Sequence, residues 1–227
     1  MKVPDIIIAI DGWSSTGKSS FAKLVAKEFD FMYLDSGALY RAVTLFAQEE
    51  RLISRMNVVS PSLEKEIQGL NVRFGRGGTW IGDRCVEKLI RTMEVSSQVS
   101  TIAAIPYVRA FVDRKLHEFG SAGRVVMDGR DIGTTVFPDA QLKIFMTASE
   151  QVRAQRRYDE MVASGQTPSM EDVVANLRER DYIDSHRETS PLVRAADAYV
   201  MDNSDMTIPQ ELSWIQGLIQ GKFGILD

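Results

Sequence analysis

The run Gly12-Trp13-Ser14-Ser15-Thr16-Gly17-Lys18-Ser19 places two glycines, a lysine and a hydroxyl at the spacing that encloses a polyphosphate. The glycines let backbone N–H groups turn inward and approach phosphate oxygens closely. A helix that follows adds unpaired N–H donors and the positive end of its dipole. Lys18 would reach the β- and γ-phosphates, and the Ser19 hydroxyl would hold Mg²⁺. An ordinary Gly-Ser turn is the competing reading. The apolar run before the loop and the helical pattern after it favour the phosphate loop, and with it binding of a nucleoside triphosphate.

Further charged residues stand where strands should end. Asp35-Ser36-Gly37-Ala38-Leu39-Tyr40-Arg41 follows the second apolar run. Ser36 can cap the next helix, and Arg41 lies one helical turn beyond Gly37. Asp128-Gly129-Arg130-Asp131-Ile132-Gly133-Thr134 follows the third run. An acid ending a strand is where phosphate-loop proteins hold Mg²⁺ through water, and Asp128 fits that role. Arg130 and Asp131 sit between glycines, which exposes them to a ligand. A surface Arg–Asp pair, the alternative, would contribute little. Later come Arg153, Arg156 and Arg157, then Arg178, Arg180, Asp181, Asp184 and Arg187. Arg180, Asp184 and Arg187 are spaced i, i+4, i+7 and so share a face of an expected helix. They form either a solvated salt-bridged face or a mobile lid whose guanidiniums close over transferring phosphates. His117 and His186 have no second metal ligand at useful spacing and are assigned to structure or surface.

The elements that must position these groups are legible as apolar runs at residues 6–10, 31–34, 124–127, 142–146 and 199–201. Continuous rather than alternating hydrophobicity predicts strands covered on both faces. Helical patterns lie at 19–29, 38–50, 106–119, 150–164 and 170–187, and Pro106 ends one helix and begins the next. Alternating strands and helices predict an α/β fold with a parallel sheet and right-handed crossovers. Ligands then bind beyond the carboxyl ends of the strands. Residues 53–89 break the pattern: 70–74 alternates, Gly75-Arg76-Gly77-Gly78 is a turn, and 79–81 starts a second strand. This is a small hairpin insertion.

With 227 residues, the chain suits one domain with a small insertion or lid. A net charge of −4 argues against bulk nucleic-acid binding. No apolar run approaches a membrane span, and the N-terminal residues lack signal-peptide character. Cys85, the single cysteine, excludes an internal disulfide and is expected as a small buried residue in a reducing, cytoplasmic setting.

The loop 12–19, the run Tyr33-Leu34-Asp35-Ser36-Gly37-Ala38-Leu39-Tyr40-Arg41, the run 128–139 and the segment 190–198 together resemble the bacterial cytidylate kinase family over nearly the whole chain. The resemblance implies a phosphate-loop kinase fold, a three-layer arrangement around a five-stranded parallel sheet of order 2-3-1-4-5. A small β insertion and a helical lid would complete it. It further implies Mg²⁺-assisted transfer of the γ-phosphate of ATP to CMP or dCMP by a monomer. The implied single domain has its core at about 1–52 and 106–227, a monophosphate-binding region at about 53–105 and a lid at about 158–187.

Carried over by position, Gly12, Ser14, Ser15, Thr16, Gly17, Lys18, Ser19, Ser20 and Arg157 would bind ATP. Ser36, Arg109 and Asp131 would face cytosine, and Tyr40 would also bind the substrate. Arg41, Arg130 and Arg187 would hold the monophosphate or the moving phosphoryl group, and Ser100, Arg180 and Asp184 the sugar. Lys18, Arg130, Arg180 and Arg187 would be catalytic, and Ser19 and Asp128 would serve the metal. Trp13 departs from the proline common in the family, which predicts altered packing rather than lost binding. A GTPase switch would need an Asn-Lys-x-Asp motif and an Asp-x-x-Gly switch, and the chain has neither. A kinase for a metabolite hydroxyl would need a carboxylate base near the acceptor, a role open to Asp131.

Overall fold

The computed structural model describes residues 3–75, 77–121 and 123–224. Arg76, in the expected hairpin turn, lies outside them. In chain order the main elements are β1 (Ile7–Gly12), α1 (Lys18–Phe29), β2 (Met32–Asp35), α2 (Ser36–Glu49) and α3 (Leu63–Glu66). Then come β3 (Val72–Gly75), β4 (Gly78–Ile81), β5 (Arg84–Cys85), α4 (Met93–Ala103) and α5 (Pro106–Gly120). The chain finishes with β6 (Val125–Gly129), β7 (Leu142–Thr147), α6 (Glu150–Ala163), α7 (Met170–His186), β8 (Tyr199–Asp202) and α8 (Ile208–Phe223). Two compact units result. One comprises the chain up to Leu34, Gly120–His186 and the chain from Ser190; the other comprises Asp35–Phe119 and Arg187–Thr189.

The first unit is built on a five-stranded sheet of order β2-β6-β1-β7-β8. Counted among its own strands this is 2-3-1-4-5, as expected. β1 is central because Ile8, Ala9 and Ile10 are fully buried. Enclosing an isoleucine side chain contributes roughly 1.5–3 kcal/mol. β1 pairs in parallel with β6, Ile10 opposite Asp128, and with β7, Ile10 opposite Ile144. That register brings the loop after β1 and the acidic turn after β6 side by side. The core against α1 and α8 comprises Ile8, Ile10, Phe21, Val25, Phe29, Ile144, Met146, Met201, Ile215 and Ile219.

Helix α8 is absent from the sequence expectations. Gly217 and Gly221 dilute its apolar pattern. The signal that marks it is the capping box of Thr207 and Gln210 with a proline in its first turn. Val136 N–H and Phe137 N–H bond back to Asp131 O and Ile132 O, so the chain after β6 forms a π-turn over Ile132–Val136, a feature frequent at functional sites.

In the second unit, α2 packs on α4, and β3, β4 and β5 form a three-stranded antiparallel sheet. The hairpin insertion is therefore present, with one more short strand than expected. That strand corrects the reading of Cys85: it is exposed rather than buried, because it sits in a two-residue strand whose residues both face solvent. Ellman's reagent should consequently titrate about one thiol per folded chain without denaturant. A thiol that reacts only after unfolding would contradict this placement.

Candidate active site

The phosphate loop takes the backbone course its residues allow. Gly12 has φ 149°, and a Cβ there would collide with the Met146 carbonyl. Gly17, at φ 87°, precedes the first turn of α1. Both values favour glycine. Ser15 also enters the left-handed region, at φ 58°. The loop rests on a buried Asn203, whose Nδ2 donates to Thr16 O at 2.9 Å and to Glu211 Oε1 at 2.7 Å. Arg156 donates to Thr16 O at 3.2 Å and to Asn203 Oδ1 at 3.0 Å. Neither Asn203 nor the supporting role of Arg156 was legible, since both act across long sequence separations.

Lys18 is buried, and its Nζ donates to Trp13 O at 2.6 Å. Trp13 itself packs edge-on against Phe145, with ring centroids 6.4 Å apart. The residue that departs from the family pattern thus braces the loop with its ring and receives the lysine with its carbonyl. Ser19 Oγ donates to Asp128 Oδ2 at 2.8 Å, and Tyr33 OH donates to Asp128 Oδ1 at 2.7 Å. Ser19 and Asp128, read from sequence as metal ligands, are therefore adjacent. The part played by Tyr33 was missed.

One guanidinium joins the three motifs of this unit. Arg130 Nε donates to Asp184 Oδ2 at 2.8 Å on α7, and its Nη2 donates to Ser14 Oγ at 3.1 Å on the loop. Asp181 accepts the Ser14 N–H at 3.1 Å and the Arg153 guanidinium at 2.5 Å. Arg180 lies on the same helix, and its buried Nε has no hydrogen-bond partner among the described residues. Burial, reinforced by the neighbouring Arg130 charge, lowers the Arg180 pKa to about 10. Burial and Arg130 likewise hold Lys18 well below its ordinary range. For Arg130, burial works downward but Asp184 prevails and raises its pKa. Lys18 and Arg180, each made costlier to charge by burial and by the neighbouring Arg130, form with it a basic cluster that suits an anion. Arg157 turns toward Glu160, 2.8 Å away.

Two expectations need correction here. Ser36 is the first residue of α2, not its cap: Asp35 Oδ1 accepts the Ala38 N–H at 3.0 Å instead. Arg187 does not share the helical face of Arg180 and Asp184, because α7 ends at His186. Past that end the chain turns, and Leu192 N–H donates to Asp184 O at 2.7 Å.

The second unit gathers Ser36, Tyr40 and Arg41 on α2, Ser100 on α4 and Arg109 on α5, and Arg187 belongs to it. Arg109 is 1% exposed, donates to Ala103 O at 3.0 Å and lies 5.2 Å from the Tyr40 ring centroid. Arg41 donates to Ser96 Oγ at 2.7 Å. A buried arginine stacked on an aromatic ring is a rigid donor.

A phosphate loop beside a strand-ending acid on a 2-3-1-4-5 sheet, with arginines from a following helix, defines a phosphate-loop kinase. The cytidylate kinase family model matches residues 8–220, and the chain belongs to that family. It is 48% identical over 221 residues to the cytidylate kinase of Bacteroides fragilis, covering 95% of this chain and 96% of that one. It is 46% identical over 225 residues to the cytidylate kinase of Flavobacterium psychrophilum, covering 94% and 97%. Among solved structures, a Thermus thermophilus protein aligns with TM-score 0.50 at 18% identity over 95% of this chain and 96% of that one. An Eubacterium ventriosum protein aligns with TM-score 0.51 at 11% identity over 96% and 99%. These two share the fold. Among the described residues, no helix is long and apolar enough to cross a membrane.

Proposed function

We propose that the chain transfers the γ-phosphoryl group of ATP in line to CMP or dCMP, giving CDP or dCDP. The observation that carries this reading is Arg130, whose single guanidinium contacts the donor loop at Ser14 and the arginine-bearing helix at Asp184. The backbone of residues 12–17, with Lys18, Ser19 and Ser20, would cradle the triphosphate, and Arg157 would lie at the ATP. Lys18, Arg130, Arg180 and Arg187 would neutralise charge that spreads over the phosphoryl oxygens. The unpartnered Nε of Arg180 is a donor suited to such an oxygen.

Ser36, Arg109 and Asp131 would face the base, with Tyr40 stacked near Arg109. Arg41 would take the monophosphate, and Ser100, Arg180 and Asp184 the sugar. Cytosine offers an N4 amino donor to the Asp131 carboxylate. Uracil offers an acceptor there and would leave the carboxylate unpaired. The acceptor phosphate is anionic near neutral pH, so no general base is required, and catalysis is positioning with charge neutralisation.

Ser19 and Asp128 would hold Mg²⁺. Their adjacent oxygens suit a hard cation. Among the described residues no cluster of three His, Cys, Asp or Glu could hold a metal ion. A hydroxyl and one carboxylate, completed by substrate phosphates, fit the usual Mg²⁺ pattern. When bound, the ion would neutralise negative charge on the β- and γ-phosphates.

The same reading includes a single catalytic domain with a monophosphate-binding region at 53–105 and a lid at 158–187. It also includes a monomeric cytoplasmic enzyme without nucleic-acid or membrane partners, which the net charge of −4 and the lone exposed cysteine suit. A coupled ADP-release assay across the common monophosphates tests it. Turnover of CMP should exceed that of UMP and AMP by about tenfold or more. Comparable rates for all three would defeat the cytidine assignment.

A further inference from the structure

Asp11 was not among the residues read from the sequence, yet its environment is unusual. It lies in β1 immediately before the phosphate loop, 5% exposed, opposite Gly129 of β6. Its two carboxylate oxygens reach the segment after β6. Oδ1 accepts Ile132 N–H at 2.8 Å, and Oδ2 accepts Gly133 N–H at 2.7 Å. These are the first amides of the π-turn that Asp131 precedes. Thr135 N–H and Val136 N–H both bond back to Asp131 O, so the turn hangs on Asp131 at one end. The opening amides of a helical turn have no partner inside it, and a carboxylate from another strand supplies both here.

The seat is tight. A Cβ on Gly133 would stand 3.3 Å from Asp11 Oδ2 and 3.1 Å from Lys143 Cδ. A side chain larger than hydrogen at position 133 would press on the carboxylate.

We propose that Asp11 is a positioning residue for base selection: by pinning the amides of Ile132 and Gly133 it fixes the Asp131 carboxylate, and so sets the preference for cytosine over uracil. This rests on the reading that Asp131 faces the base. The placement is a poor choice for stability alone. Burial raises the Asp11 pKa to about 6 against the lowering effect of the two amides; Asp131 adds to the rise and Lys18 opposes it. A buried charge that costs this much suits geometry better than it suits packing. One side chain would thus tie the donor loop, which begins at Gly12, to the turn that reads the acceptor.

Asp11→Asn keeps the shape but turns an amide N–H₂ toward a backbone N–H, so one of the two bonds is replaced by a donor–donor clash. Its kcat/KM ratio for CMP over UMP should fall about tenfold, with the KM for ATP within about twofold of the unmodified enzyme. Gly133→Ala presses on the same contact with Asp11 intact and should lower the ratio in the same sense, so it decides the matter if Asp11→Asn fails to fold. Asp131→Ala is the control. If it changes the ratio while the folded Asp11→Asn and Gly133→Ala proteins do not, the role of Asp11 is refuted. A folded Asp11→Asn enzyme that lowers kcat equally for both nucleotides, at an unchanged ratio, also refutes it. If Asp131→Ala leaves the ratio unchanged, the base-reading assignment fails, and the proposal with it.

Discussion

Arg130→Met should lower kcat/KM for CMP phosphorylation by about 10³-fold or more, the range set by transition-state arginines in phosphoryl transfer. The guanidinium supplies charge and directed donors that no methionine replaces. It also holds the loop and α7 to each other through Ser14 Oγ and Asp184 Oδ2. The same change should destabilise the fold, because the Asp184 carboxylate, 8% exposed, loses its ion pair with Arg130. Removing one member of a buried pair costs about 3–5 kcal/mol. Arg130 retains 20% side-chain exposure, so a loss of about 1–3 kcal/mol is expected after solvent screening.

Catalytic and structural losses can be separated. The double variant Arg130→Met/Asp184→Asn also neutralises the carboxylate that faced Arg130 and should recover part of the lost stability in a urea titration. Because Asp184 is also placed at the sugar, turnover of the double variant is compared with that of Asp184→Asn alone, and it should stay far below it. Equal turnover of those two would reduce Arg130 to a structural ion pair.

The contrast between what could and could not be read from the chain follows the range of the interactions involved. The strand ends, the phosphate loop and the acid at Asp128 are local patterns, and each stands where an apolar run stops. The pairing of Ile10 with Asp128 then follows from the parallel register. Asp11 was overlooked because a lone acid between strand and loop carries no pattern of its own. Its partners lie 121 and 122 residues away. Asn203 is similar, holding Thr16 O across 187 residues. Arg187 was misplaced for another reason: the i, i+7 spacing is valid only while the helix lasts, and α7 ends one residue earlier. Cys85 was judged by the average burial of cysteine, which an edge strand overrides. Ser36 lost its capping role to the neighbouring Asp35, an equally good cap by type.

Lys18→Met should lower kcat by about 10²–10³-fold, as for loss of a donor aimed at developing charge, and should do so without loss of stability. The reasoning is electrostatic. Lys18 is buried, and burial together with Arg130 makes its charged form costly. A methionine of similar length fills the space, removes the charge and spares Arg130 its repulsion, while forgoing the bond to Trp13 O. The sign of the pH dependence follows. A lysine whose folded pKa is depressed binds fewer protons in the folded state than in the unfolded one, so its contribution to stability rises with pH between the two values. The penalty it imposes is greatest below its depressed pKa and disappears as pH approaches the ordinary 10.5. The Tm of Lys18→Met should therefore exceed or equal that of the unmodified protein near neutral pH, and the difference should shrink as pH rises toward 10. Thermal melts of the two proteins across that interval measure it. A variant less stable at neutral pH by an amount independent of pH would mean that Lys18 is held in the fold as a favourable charge, and the anion site would lose its electrostatic basis.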